Sequence, residues 1–154
     1  MRTVLLFCFT LVSFSFLLAQ PEKQAQVKAS LKIASGTKVG GIATLVFEVS
    51  PNPNWHVYSL EETGAYKKTE IILGEKCLQI SANGAAQETG KKVTEFDEVM
   101  GGNLNYFEGP AIFTQEIKLT GKKPHAEGLI EFQLCNGDKC VMLSEAFKLE
   151  GKVK

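Results

Sequence analysis

Apolar and polar residues alternate along most of the chain with a period of two, and the 3.6-residue period of a helix is never sustained for long. The clearest case is "GIATLVFEVS" (41–50), where every second residue is apolar: Ala43, Leu45, Phe47 and Val49. Two prolines in the following "PNPN" interrupt the pattern, because proline cannot continue a strand ladder. The segment is therefore predicted to be a half-buried strand.

Six further segments have the length and composition of strands and are separated by glycine-rich breaks. They are "WHVYSL" (55–60), "TEIIL" (69–73), "CLQISA" (77–82), "AIFTQEIKL" (111–119), "GLIEFQLC" (128–135) and "CVMLSEAFKLE" (140–150). In the first, Trp55 and Val57 are expected on one face and His56 and Tyr58 on the other, since side chains of a strand alternate. Seven to nine short strands without helices between them predict an all-β fold, an antiparallel β-sandwich.

The N-terminus differs from the rest of the chain. Arg2 precedes an apolar run that ends at Ala19, which is typical of a secretory signal peptide covering residues 1–19. An uncleaved membrane anchor is the alternative. Residues 20–27 are expected to form a short polar lead-in, and 28–154 a single domain. The chain is therefore expected to be exported.

The composition limits the classes of partner and cofactor that the chain is expected to bind. Arg2 is the only arginine, so the expected mature chain carries 16 lysines and 17 acidic residues. With no basic excess and no guanidinium groups, the mature chain is not expected to bind nucleic acid. The spacings of His56, His125 and the cysteines match no zinc motif, and no glycine-rich phosphate loop is present. No metal and no small-molecule cofactor are expected.

Three cysteines follow the expected signal peptide, at positions 77, 135 and 140. The four residues "NGDK" between Cys135 and Cys140 form a turn that places the two cysteines opposite each other, at a separation suited to a disulfide. The alternation places both on the polar face of their strands. Cys77 is expected to be a small buried residue on a strand.

The chemistry of this pair has two interpretations. Closing so short a loop contributes only about 2.2 kcal/mol in the chain-entropy model, so the bridge stabilises the fold weakly. A weak and exposed disulfide suits reversible thiol–disulfide exchange. An inert clip on a binding or scaffold sandwich is the alternative, and the spacing alone leaves both open.

Three segments, in this order, resemble the N-terminal periplasmic domain of the thiol:disulfide interchange protein DsbD. They are "WHVYSL", "FDEVMGGNLNYFEG" (96–109) and "FQLCNGDKC" (132–140), and the resemblance extends over residues 28–150. It implies an immunoglobulin-like sandwich that relays reducing equivalents in the periplasm. The donor would be a thioredoxin-like domain or membrane electron-transfer protein, and the acceptor a periplasmic disulfide isomerase or a thioredoxin of cytochrome c maturation.

The resemblance also implies roles for individual residues. Cys135 and Cys140 correspond to the redox pair and thus to the catalytic residues of a protein-disulfide reductase. Tyr58 corresponds to an aromatic residue beside the site. The acids of a cap loop, which would cover the disulfide, correspond to Asp97 and Glu98.

The chain departs from the family at several positions. Val99, followed by Met100, stands where the family has a phenylalanine over the disulfide, and His56 stands where better-known members have tyrosine. Four residues separate the cysteines instead of five. The membrane-spanning and thioredoxin-like parts of DsbD have no counterpart in this sequence, so a separate electron donor would be needed.

Overall fold

A computed structural model describes residues 23–61, 66–99 and 101–154 of the chain. Over these ranges the backbone forms nine strands: β1 (Ala25–Lys32), β2 (Ile42–Pro51), β3 (His56–Tyr58), β4 (Glu70–Leu73), β5 (Ile80–Ala82), β6 (Gln87–Asp97), β7 (Gly102–Leu119), β8 (His125–Cys135) and β9 (Cys140–Glu150). The expected signal peptide, residues 20–22 of the lead-in and Met100 lie outside the described residues. In the part of the chain described, no helix is long and apolar enough to cross a membrane.

All the strand pairs are antiparallel. β7 pairs with four other strands, namely β2, β3, β5 and β6. The N-terminal half of β7 pairs with β3 and with the second part of β6, while its C-terminal half pairs with β2, β5 and the first residues of β6. Between the halves, Gly109 adopts a φ of 91° and is followed by Pro110, so the strand changes direction there. The bend lets one long strand contribute to both layers.

The core lies between β1, β2 and the second half of β7 on one side and β3, β8 and β9 on the other. Phe47 of β2 and Phe147 of β9 meet edge to face across it, with ring centroids 4.9 Å apart. The alternating residues Ala43, Leu45, Phe47 and Val49 are all buried, as predicted. The predicted all-β, immunoglobulin-like antiparallel sandwich is confirmed.

Some strands differ from the sequence-based predictions. β6 was not predicted, because most of its side chains are exposed and polar. β1 begins at Ala25, three residues before the expected start of the domain, since Ala25 is buried and Val27 packs against the core. The segment 111–119 is only the second half of β7, an 18-residue strand, so the strands are not uniformly short.

Candidate functional site: a hairpin disulfide beside an aromatic groove

Cys135 and Cys140 are directly paired residues at the end of the β8–β9 hairpin, and a disulfide joins them with a Cα–Cα distance of 4.2 Å. The local sequence explains the tight turn between them. Asn136 Oδ1 accepts hydrogen bonds from the backbone N–H groups of Asp138 (3.2 Å) and Lys139 (3.1 Å). Gly137 has a φ of 89°, which suits glycine. This turn fixes the register that brings the sulfurs together.

The two cysteines differ in exposure. Cys135 is buried, with 3% of its surface exposed, whereas Cys140 is exposed. The expectation that both lie on an open polar face is thus wrong for Cys135. It does share a strand face with Gln133, but His56 of the neighbouring β3 pairs with it and an aromatic cluster occupies that face. An approaching thiol therefore meets Cys140 first.

The aromatic cluster consists of four rings: His56, Tyr58, Tyr66 and Tyr106. The ring centroids of His56 and Tyr106 are 4.4 Å apart, and those of Tyr58 and Tyr66, which stack, are 4.9 Å apart. Tyr58 meets His56 edge-on at 5.5 Å and is buried. β3 carries His56 and Tyr58, and the adjacent β7 carries Tyr106, which pairs directly with Tyr58, so three of the rings form one wall on two neighbouring strands.

This wall and the disulfide enclose a groove of about 400 Å³. Its lining includes four residues singled out from the sequence: His56, Tyr58, Cys135 and Cys140. It also includes Gly137, Asp138 and Lys139 of the predicted turn. Four further lining residues were not placed at the site by the sequence analysis: Tyr66, Glu95, Leu104 and Tyr106. The alternation of side chains could place Tyr106 on one face of its strand. The sequence did not show which strand would pair with it.

The groove shifts the ionisation of its side chains. Burial lowers the pKa of His56 below its usual value, and the carboxylates of Glu108 and Glu95 oppose this only in part. The imidazole is therefore neutral at pH 7. Burial also raises the pKa of Tyr58 far above its usual value, with contributions from the neighbouring tyrosines and from the charges of Asp97 and Glu95.

Tyr106 is affected in the same direction as Tyr58. Burial and the charge of Glu95 raise its pKa, and its hydroxyl donates a hydrogen bond to Glu95 Oε2 at 3.2 Å. Both phenols thus keep their protons at neutral pH. The wall of the groove presents neutral rings, with the carboxylate of Glu95 at its edge.

The expected cap residues lie at the tip of the β6–β7 hairpin. Asp97 Oδ1 accepts a hydrogen bond from the Val99 N–H at 2.8 Å, which stabilises the turn. Val99 is 91% exposed, and neither it nor Glu98 lines the groove. The hairpin reaches the groove through Glu95 and Leu104 instead, lower on its two strands. Cys140 is exposed, so the described residues of the tip do not bury it.

Two further contacts lie at the hairpin that carries the disulfide. Gln133 Nε2 lies 3.8 Å from Cys135 Sγ, and Gln133 Oε1 accepts a hydrogen bond from the Lys67 N–H at 2.6 Å. On the other side of the hairpin, Lys139 Nζ lies 5.6 Å from the centroid of the Trp55 ring. Neither contact was anticipated from the sequence.

Cys77 is a free thiol, half-buried, and its Sγ donates a hydrogen bond to the carbonyl of Glu127 at 3.3 Å. It lies just before β5 instead of within a strand, so the expectation of a buried strand residue is wrong. The turn after β4 holds it at the surface of β8. Among the residues that the structure describes, no group of three His, Cys, Asp or Glu side chains is arranged to hold a metal.

No protein-family model and no curated protein matches the chain. Two solved structures resemble it. One is the crystal structure of the N-terminal periplasmic domain of ScsB from Proteus mirabilis, with a TM-score of 0.58 and 16% identity over 86% of this chain. The other is the DsbD N-terminal domain from Neisseria meningitidis in the reduced form, with a TM-score of 0.50 and 15% identity.

The extent of these matches differs. The chain spans about half of the ScsB structure, since 49% of it is covered, but 91% of the DsbD domain. At 15–16% identity the likeness concerns the fold. This chain therefore has the fold of the N-terminal periplasmic domains of ScsB and DsbD.

Proposed function

We propose that this chain is an exported thiol–disulfide exchange module, a protein-disulfide reductase that works through Cys135 and Cys140. The observation that supports it most directly is the asymmetry of the disulfide, with an exposed Cys140 next to a buried Cys135. Exchange requires one sulfur that a partner can reach and a second one close enough to resolve the mixed disulfide. The hairpin provides both, because the exposed Cys140 is bonded directly to Cys135.

The reaction consists of two displacements. In the reduced module, the thiolate of Cys140 attacks a sulfur of the acceptor's disulfide, forms a mixed disulfide and releases one acceptor thiolate. The thiolate of Cys135 then attacks Cys140 Sγ, which releases the second acceptor thiolate and closes the Cys135–Cys140 bond. Two electrons and two protons pass to the acceptor. A donor dithiol restores the reduced module by the reverse sequence.

The periplasm is the proposed location, because both similar structures are N-terminal domains of this kind and that of ScsB is described as periplasmic. The donor would be a thioredoxin-like domain or a membrane electron-transfer protein. The acceptor would be a periplasmic disulfide isomerase or a thioredoxin of cytochrome c maturation. The docking surface would centre on Cys140 and the groove, with residues 97–100 at its rim.

Single-cysteine variants test the proposal. Cys135→Ala leaves the exposed Cys140 thiol without its resolving partner, so it should accumulate a covalent complex with a thioredoxin-like exported protein. Cys140→Ala leaves only the buried thiol and should trap far less. Cys77→Ala should leave both results unchanged. If neither single variant captures a protein that itself carries a redox-active cysteine pair, the relay does not operate.

An inert disulfide on a binding or scaffold sandwich is the second candidate, since the likeness to ScsB and DsbD, at 15–16% identity, concerns the fold alone. The reduction potential separates the two. An inert clip should lie below about −300 mV, whereas a relay should lie near the thioredoxin range. Equilibration with glutathione and dithiothreitol buffers measures it.

A further inference from the structure

Cys135 has an unfavourable position for a group that must carry charge. When a thiol attacks the exposed Cys140 Sγ, the Cys135–Cys140 bond breaks and its electron pair stays on Cys135 Sγ as a thiolate. Cys135 is 3% exposed, and burial in apolar surroundings disfavours a thiolate. A compensating hydrogen-bond donor would make this sulfur a better leaving group.

Gln133 is placed to supply that donor. It lies two residues before Cys135 on β8, so the two side chains share one face of the strand. Its Nε2 is 3.8 Å from Cys135 Sγ, within reach of a hydrogen bond to sulfur. An amide N–H binds a thiolate more strongly than a neutral sulfur, because hydrogen bonds to ionised acceptors are stronger.

The orientation of the Gln133 amide is fixed by a second hydrogen bond. Its Oε1 accepts from the Lys67 N–H at 2.6 Å, and because an N–H cannot accept, the amide nitrogen must face the sulfur. The segment that carries Lys67 is itself anchored to the chain after β3, since the Thr69 N–H donates to the Ser59 carbonyl at 2.7 Å. The donor is thus held in place before any charge develops.

We propose that Gln133 stabilises the thiolate of Cys135, both when that sulfur leaves during reduction of the disulfide and when it later resolves a mixed disulfide. This role deepens the proposed exchange function and rests on it. The other ionisable groups around the groove are His56 on β3, Glu95 on β6, Tyr106 on β7, Tyr58, Tyr66, and Asp138 and Lys139 in the turn.

The first test titrates the Cys135 thiol in full-length chain in which Cys8, Cys77 and Cys140 are replaced by serine, following thiolate absorbance at 240 nm. Gln133→Leu should lower the thiolate fraction, at a fixed pH below the midpoint, by about tenfold or more. Gln133→Glu keeps an acceptor for the Lys67 N–H but replaces the donor with a carboxylate, so it should lower it further. Met142→Leu is the matched control, because Met142 of β9 pairs with Gln133 and its side chain carries no N–H donor.

The second test measures the rate at which dithiothreitol reduces the disulfide in chain that retains both cysteines. Gln133→Glu should slow reduction relative to Met142→Leu, since the leaving thiolate has lost its donor. A purely structural role would loosen the site and speed reduction instead. Titration curves that coincide for the parent, Gln133→Leu and Gln133→Glu would overturn the proposal. Because no partner protein is involved, this outcome is independent of whether the relay itself exists.

Discussion

His56 and Cys135 are directly paired residues of β3 and β8, and both line the groove beside the disulfide. Burial lowers the pKa of His56 in the folded chain, despite the opposing charges of Glu108 and Glu95. In the unfolded chain the imidazole regains its usual pKa of about 6.5. Protonation below that pH therefore favours the unfolded state.

This linkage predicts a pH-dependent stability with a defined sign. The free energy of unfolding of the parent should decrease as the pH falls from about 7 through 6.5 towards the lowered pKa of His56. The free energy of unfolding of His56→Phe should decrease less over the same pH range. Urea denaturation at pH 7.5, 6.5 and 5.5 measures the difference between the two proteins. Subtracting the curves removes the contribution of carboxylates common to both. A difference that does not change with pH would contradict the burial of a neutral imidazole at this position.

The disulfide should be dispensable for folding. Replacing both Cys135 and Cys140 with serine should cost no more than about 2–3 kcal/mol, because the closed loop is short. The core pair Phe47 and Phe147 packs elsewhere in the sandwich and provides a comparison. Phe147→Ala should cost more, about 3–5 kcal/mol, through the cavity it leaves. Urea denaturation of both variants checks the order, and a double-serine variant that fails to fold would favour the structural role of the bridge.

The exposure of Val99 leads to a prediction about whether the tip of the β6–β7 hairpin shields the disulfide from reducing agents. With 91% of its surface exposed, Val99 contributes no cover over Cys140, so Val99→Ala should leave the rate of reduction by dithiothreitol within about twofold of the parent. Replacing residues 98–101 with a two-residue Asn-Gly turn tests the whole tip. A several-fold faster reduction of the shortened protein would show that the tip covers the disulfide in solution.

Much of the fold could be predicted from the sequence because burial follows strand parity. The apolar positions of β2 alternate cleanly, and the turn residues Asn136 and Gly137 specify the hairpin that joins the cysteines. β6 could not be predicted, because it lies at an edge of the sheet and most of its side chains are exposed to water. Its sequence therefore lacks the alternation of apolar and polar residues that indicates a strand.

The site was harder to predict than the fold, since it depends on which strands become neighbours. Parity assigned Cys135 to a polar face, but β3 brings His56 against it and the rings around His56 remove that face from solvent. Tyr106 joins the wall because β7 pairs with β3 across a long separation in sequence. In the sequence, Gln133 is an ordinary polar strand residue. Only the structure shows that the Lys67 N–H orients its side-chain amide. Long-range pairing of this kind has no signature in local composition.

The last prediction concerns the charge beside the exposed sulfur. Lys139 precedes Cys140, and its Nζ lies 5.6 Å from the Trp55 ring centroid, a contact that holds the ammonium group close to the hairpin. An attacking thiolate is negative, so this charge should favour its approach. Lys139→Gln should slow reduction of the disulfide by glutathione about twofold to threefold at low ionic strength, and the difference should shrink in 1 M salt. Lys148→Gln makes the same change of charge on β9, in a cleft that also contains His125 and lies away from the disulfide, and should have little effect. Equal slowing in both variants would assign the effect to net charge, and no slowing in Lys139→Gln would remove this lysine from the path of the thiolate.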